Sequence, residues 1–167
     1  GDPQQLDQPL QGTHPLGAER SALAHVLNGE DVIPETMGLF LAGTWRLHPS
    51  ICSFTSEMFY ESLLQSYPGR ERLQLEGAAA LSGTGIRFLA VPHDGNSSSA
   101  NAEALVIAEQ VHALLATNSS WTDAMGVQRA LTADDVLLIT PYNAQVAALR
   151  AALPGLRIGT VDKFQGQ

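Results

Sequence analysis

The feature that most limits what this chain can fold into lies near its end. An apolar run, Val136-Leu-Leu-Ile139, is followed by Val146, Leu149 and Leu153 on one helical face and then by a second apolar run from Leu156 to Val161. Strand, helix, strand with no room for a hairpin means two parallel strands joined by a right-handed crossover. Asn143 stands where the crossover helix needs an N-cap. Upstream, Ala102 to Ala116 is apolar nearly all round, interrupted by Glu103, Glu109, Gln110 and His112, as expected for a helix packed on a sheet. Ile86 to Val91 reads as a buried strand with Pro92-His93-Asp94-Gly95 as its exit, and Gly95 to Ala100 as a polar tract. Pro49 opens a helix carrying Ile51, Phe54, Met58 and Phe59 at helical spacing through Leu63. Leu39 to Ala42 reads as a short strand. Leu23, Val26 and Leu27 mark a short helix closed by Asn28-Gly29 as a left-handed cap. Residues 1–16 and Asn118 to Thr132 have loop composition. Alternation of strands and helices predicts an α/β fold: a three-layer parallel sheet with helices on both faces.

Charge narrows the choice of partners. The 167 residues carry a net charge of −8, which excludes a broad basic face that coats nucleic acid. Contact with a sugar-phosphate backbone has to be local, through backbone amides, hydroxyls and helix N-termini, which add no net charge. The longest apolar runs, such as Ala104 to Ala108 and Val136 to Ile139, fall far short of the ~20 residues that span a bilayer, so no membrane partner is expected. The start, Gly1-Asp-Pro-Gln-Gln5, has no signal-peptide pattern, and a lone Cys52 suits a reducing cytosol; both lead to an expected cytoplasmic location. His14, His25, His48, His93 and His112 show neither i,i+4 pairing nor neighbouring cysteines, so no metal site is expected. Hydrolase elbows and dinucleotide fingerprints are missing as well.

Four clusters fall at strand-to-loop junctions, where open α/β sheets hold their ligands. They are Gly1-Asp-Pro-Gln-Gln-Leu6, Thr44-Trp-Arg-Leu-His-Pro49, Ile139-Thr-Pro-Tyr-Asn143 and Gly159-Thr-Val-Asp-Lys-Phe-Gln-Gly-Gln167. Arg46 sits in a polar break between a strand and a helix; it is either a surface ion-pair arginine or a fork aimed at a phosphate, whose geometry guanidinium matches. Trp45 is either core or a stacking surface for a base. Gln5 offers an acceptor and two donors in one plane, suited to a phosphate oxygen and a water, but a loop glutamine is also commonly just solvated. Thr140 and Thr160 each follow an apolar strand and either cap a turn or face a sugar-phosphate backbone.

In this order the clusters resemble the superfamily 1 helicases, specifically the 5′-to-3′ branch that contains the nonsense-mediated-decay helicase and helicases joined to RecB-like nucleases. Gly1-Asp-Pro-Gln-Gln-Leu6 is similar to that family's motif III, Trp45-Arg-Leu-His-Pro49 to its Tyr-Arg-Met-His-Pro, Ile139-Thr-Pro-Tyr-Asn-Ala-Gln-Val146 to its Thr-Pro-Tyr-x-x-Gln segment, and Thr160-Val-Asp-Lys-Phe-Gln-Gly-Gln167 to its motif V. The resemblance implies a RecA-like fold of the P-loop class. Residues 1–34 would be the end of a first RecA-like domain and a linker, and residues 35–167 a second RecA-like domain truncated at motif V. Gln5 and Arg46 would contact the γ-phosphate of ATP, Trp45 would stack near the adenine, and Gly166 and Gln167 would lie at the nucleotide cleft. Thr140, Tyr142, Asn143 and Thr160 would lie near single-stranded DNA or RNA. No Gly-x-x-x-x-Gly-Lys-[Ser/Thr] loop and no Asp-Glu pair occur, so ATP and Mg²⁺ would be held mainly by a missing first domain of the same parent chain, and this chain alone is expected to be inactive. The alternative is a non-catalytic RecA-like module that binds other proteins.

Overall fold

A computed structural model describes residues 2, 4, 5, 15, 18–77, 80–116 and 118–165. They fall into two compact units, Gly1–Arg70 and Glu71–Gln167. The domain boundary expected at residue 34 lies within the first unit.

In the first unit, α1 (Ala22–Leu27) begins at Ser21, whose side chain accepts from the Ala24 N–H, and ends at Asn28 with φ of 48°. That is the left-handed cap read from Asn28-Gly29. Strand β1 (Gly43–Thr44) pairs in parallel with β2 (Gln65–Ser66), and α2 (Pro49–Phe59) connects them. Pro49 occupies the first turn of α2, and His48 caps it by accepting from the Ser50 N–H at 3.1 Å. Leu39 to Ala42 was expected to be the strand, but pairing begins one residue later, at Gly43. An apolar run becomes a strand only where a partner supplies its hydrogen bonds, and here Gln65 and Ser66 supply them.

The second unit holds the strand-helix-strand motif. Strands β6 (Leu137–Ile139) and β7 (Arg157–Gly159) are parallel and in register, with Ile139 opposite Gly159, and α4 (Asn143–Ala152) crosses between them. Val146, Leu149 and Leu153 on α4 are all buried, as their spacing required. They meet Ala104, Ala108 and Val111 of α3 (Asn101–Ala116) and Ile158 of β7 in one core. The small alanines let α3 and α4 approach closely, and burial of the large side chains between them supplies ~1.5–3 kcal/mol each. Tyr142, not Asn143, is the N-cap residue of α4; Asn143 is already the first helical residue. A four-residue helix α5 (Val161–Phe164) follows β7.

Two expectations about irregular segments change. Ile86 to Val91 belongs to no strand, and Phe88 is 87% exposed. The stretch read as loop, Asn118 to Thr132, holds a hairpin of β4 (Ser120–Thr122) and β5 (Gln128–Ala130), extended by antiparallel pairing of β4 with β3 (Gln74–Glu76). The turn is built on Asp123, whose Oδ1 accepts from the N–H groups of Met125 and Val127, and on Gly126 at φ +81°. The described strands therefore form two parallel pairs and one antiparallel three-stranded sheet.

The Asp123 carboxyl is held below its ordinary value of 3.8, first by the Val127 N–H and also by Arg129. A depressed carboxyl stabilises the fold fully above its unfolded value, and that contribution is lost as pH falls through the folded value. Asp123→Asn should therefore flatten the loss of stability below about pH 4, measured as thermal melts at a series of acidic pH values. An unchanged acid slope would refute the role of this turn.

Candidate functional site

The first cluster gathers around β1 and β2. Trp45, immediately after β1, is 59% exposed and stacks on Tyr67 with ring centroids 3.6 Å apart and planes 21° apart. The guanidinium of Arg70 lies 4.9 Å from the Trp45 ring centroid, and its Nε donates to the Trp45 carbonyl at 2.7 Å. Gly43 makes the stack possible, since a Cβ there would come within 2.9 Å of the Tyr67 ring. The indole is thus neither core nor free: it is held in a fixed plane at the tip of a parallel strand, with an exposed edge.

Arg46 follows it and is exposed. Its guanidinium forms no ion pair among the described residues. It lines a cavity of about 620 Å³ together with Asp2, Asp31, Thr44, Leu47 and Tyr60. Asp2 gathers its own neighbours: the Tyr60 hydroxyl donates to Oδ2 at 2.8 Å and the Gln5 side-chain amide donates to the same oxygen at 3.0 Å. Burial first, and then the bond and charge of Asp2, push the Tyr60 hydroxyl up to about 12. Gln5 therefore spends an amide proton on Asp2 and keeps its carbonyl oxygen as an acceptor. Asp2 and Asp31 repel anions, so the region of this cavity that suits a phosphate is the side lined by Arg46.

The second cluster sits at the C-terminal ends of β6 and β7. The Thr140 N–H donates to the Gly159 carbonyl at 3.2 Å, so Thr140 and Thr160 leave neighbouring strands side by side. Thr140 is buried, Thr160 half-buried, and Tyr142 and Asn143 exposed. Gly159 is constrained by its neighbours: an added Cβ would lie 2.7 Å from the Phe164 ring and 2.8 Å from the Lys163 side chain. Thr140, Tyr142, Asn143 and Thr160 were read from separate motif positions, and the parallel pairing gathers them at one end of the sheet. Gly166 and Gln167 lie outside the described residues.

Gln145 was quoted only as a member of the Thr-Pro-Tyr-x-x-Gln pattern, with no task attached. It is buried, and its Oε1 accepts from the Ala100 N–H at 2.8 Å while its Nε2 donates to the Ala100 carbonyl at 3.3 Å and to Glu103 Oε2 at 3.3 Å. The other Glu103 oxygen lies 3.1 Å from His93 Nε2. One side chain on α4 thereby fixes where α3 starts. Only its polarity in an otherwise apolar helical face signalled this in the sequence. Among the described residues no group of three His, Cys, Asp or Glu could hold a metal ion, and no helix is long and apolar enough to cross a membrane.

Parallel strand pairs with polar groups at their C-terminal tips are the arrangement at which open α/β sheets hold ligands. The chain belongs to the AAA domain family, whose model matches residues 19–167, and hence to the P-loop NTPase, RecA-like fold class. It is 31% identical to the DNA-binding protein SMUBP-2 of Rattus norvegicus over 76% of the chain, and 27% identical to the 3′-5′ exoribonuclease HELZ2 of Homo sapiens over 73% of the chain. The matches span 14% and 4% of those proteins respectively. No solved structure matches the chain.

Replacing Gln145 by Leu keeps its volume but strands the buried Ala100 N–H, which costs ~1–3 kcal/mol. Chemical denaturation should register that loss; a variant as stable as the native protein would mean that Ala100 finds another partner.

Proposed function

We propose that the chain supplies the second half of an ATP cleft and part of the single-strand binding surface of an ATP-dependent helicase or translocase. The observation that carries this reading is Arg46: a permanently charged fork on a cavity wall, in no ion pair among the described residues and just past the tip of a parallel strand. Trp45 beside it offers a fixed aromatic plane for the adenine, and the arrangement fits a nucleotide whose phosphates point toward Arg46. Gln5, steadied by Asp2, presents its carbonyl to the water or phosphate oxygen there. Gly166 and Gln167 belong to the same cleft in this reading.

ATP with Mg²⁺, held mainly by a first RecA-like domain of the parent chain, supplies the phosphoryl chemistry whose turnover drives closure and release. Arg46 neutralises charge on the γ-phosphate and couples closure to the nucleotide. Thr140, Tyr142, Asn143 and Thr160 grip the backbone of single-stranded DNA or RNA. Membership of the AAA domain family and the names of the relatives, a DNA-binding protein and an exoribonuclease, support a nucleic-acid partner. In this reading residues 35–167 form the second RecA-like domain, a parallel sheet with helices on both faces, and the protein works in the cytoplasm. A chain lacking the phosphate loop would be silent by itself.

Arg46→Ala should lower single-strand-stimulated ATPase activity of the full-length parent about a hundredfold while leaving its melting temperature unchanged. Trp45→Ala should chiefly raise KM for ATP. Native turnover in the arginine variant would overturn the assignment, and a well-folded parent with no ATPase at all would favour a non-catalytic module that binds proteins.

A further inference from the structure

Trp45 and Arg46 leave β1 in a bend, yet the peptide unit between them is fixed at both edges. Its carbonyl, on Trp45, accepts from Arg70 Nε at 2.7 Å, and its N–H, on Arg46, donates to Thr44 Oγ1 at 3.3 Å. A peptide unit is planar, so hydrogen bonds on opposite edges set the orientation of the plane and the directions in which the flanking side chains start. The next anchor is Ser66, whose hydroxyl donates to the Leu47 carbonyl at 2.7 Å. Arg70 also reaches the ring. Its guanidinium carbon lies 4.9 Å from the centroid of an indole already stacked against Tyr67. Trp45 nevertheless stays 59% exposed, so this backing leaves room for a further planar group. Arg70 enters no ion pair among the described residues; beyond Trp45, its guanidinium donates to the Pro68 carbonyl at 3.3 Å.

From this geometry we infer that Arg70 is a positioning residue of the nucleotide site: one hydrogen bond from it aims Arg46, and its cation steadies the Trp45 indole. The inference rests on reading Trp45 and Arg46 as contacts of the base and the γ-phosphate, and it names a residue to which that reading gives no part. The two tasks fall on different atoms. Nε holds the backbone, and its loss lets the peptide between Trp45 and Arg46 rotate. A guanidinium displaced in this way stabilises the transferring phosphoryl group less, which lowers kcat. The planar head steadies the ring, and without it a base has to order the indole as it binds, which raises KM. Glutamine separates the tasks, because its Nε2 falls where arginine has Nε while the rest of the head is gone. Methionine keeps an unbranched stem and loses both.

The test is steady-state ATPase activity of the full-length parent with single-stranded nucleic acid present, beside thermal melts of each variant. Arg70→Met should raise KM for ATP about threefold and lower kcat about tenfold, with a melting temperature close to native. Arg70→Gln should restore kcat and leave KM raised. A residue that only held the fold would behave differently: kcat would fall with the folded fraction, KM would stay, and the melting temperature would drop. That pattern, or native kinetics in Arg70→Met, would overturn the inference, as would a glutamine variant that recovers both parameters or neither. Arg46→Ala and Trp45→Ala tell this failure from that of the underlying reading. If both impair turnover while Arg70→Met stays native, only the role of Arg70 is lost; if both behave as native, the nucleotide site is lost and Arg70 with it.

Discussion

The parallel pairing of β6 with β7 is the interaction on which the second unit depends. Parallel neighbours cannot be joined by a tight turn, so α4 has to cross over the sheet, and once it does its inner face buries Val146, Leu149 and Leu153 against α3 and Ile158. The same crossing carries Gln145 to the start of α3, where it holds the Ala100 backbone through both donor and acceptor. Register then does the rest. With Ile139 opposite Gly159, the residues that follow each strand, Thr140 and Thr160, emerge together.

The first unit repeats the principle on a smaller scale. Two residues of β1 pair with two of β2, just enough to set Trp45 and Arg46 at a strand tip. What then orders the indole is not the strand but the ring of Tyr67 on the glycine at position 43, together with the Arg70 guanidinium. Burial and Asp2 similarly keep the Tyr60 hydroxyl protonated well beyond neutral pH, so it serves as a constant donor to that carboxylate.

What the sequence made legible is what local pattern controls. The crossover motif, the long α3, the proline-started α2 and the Asn28 cap all follow from spacing and composition within a few residues, and all are present. The unread parts are set by distant partners. Ile86 to Val91 has the composition of a strand, but a strand is a relation between segments, and no described segment pairs with it. The β4–β5 hairpin was hidden because Ser120-Trp-Thr and Gln128-Arg-Ala are too short to show alternation; its one local sign was Asp123 followed by Gly126, a turn pair. The Trp45 stack and the Gln145 clamp join residues far apart in the chain, so neither could be derived from neighbouring letters. Trp45 and Arg46 follow one strand tip in the first unit, and Thr140, Tyr142, Asn143 and Thr160 gather at another in the second; Gln5 is placed by Asp2 and by no strand, and Gly166 and Gln167 lie outside the described residues.

The scarcity of basic side chains around Thr140 has a thermodynamic consequence. A protein that grips nucleic acid with lysine and arginine displaces condensed counterions, and its affinity falls steeply as salt rises. On the single-strand surface proposed at the β6 and β7 tips, hydroxyls and amides on a chain of net charge −8 would displace few. On that proposal the hold would vary little with ionic strength and would depend on how well the two strand tips are aligned, which would make affinity a readout of domain geometry instead of salt.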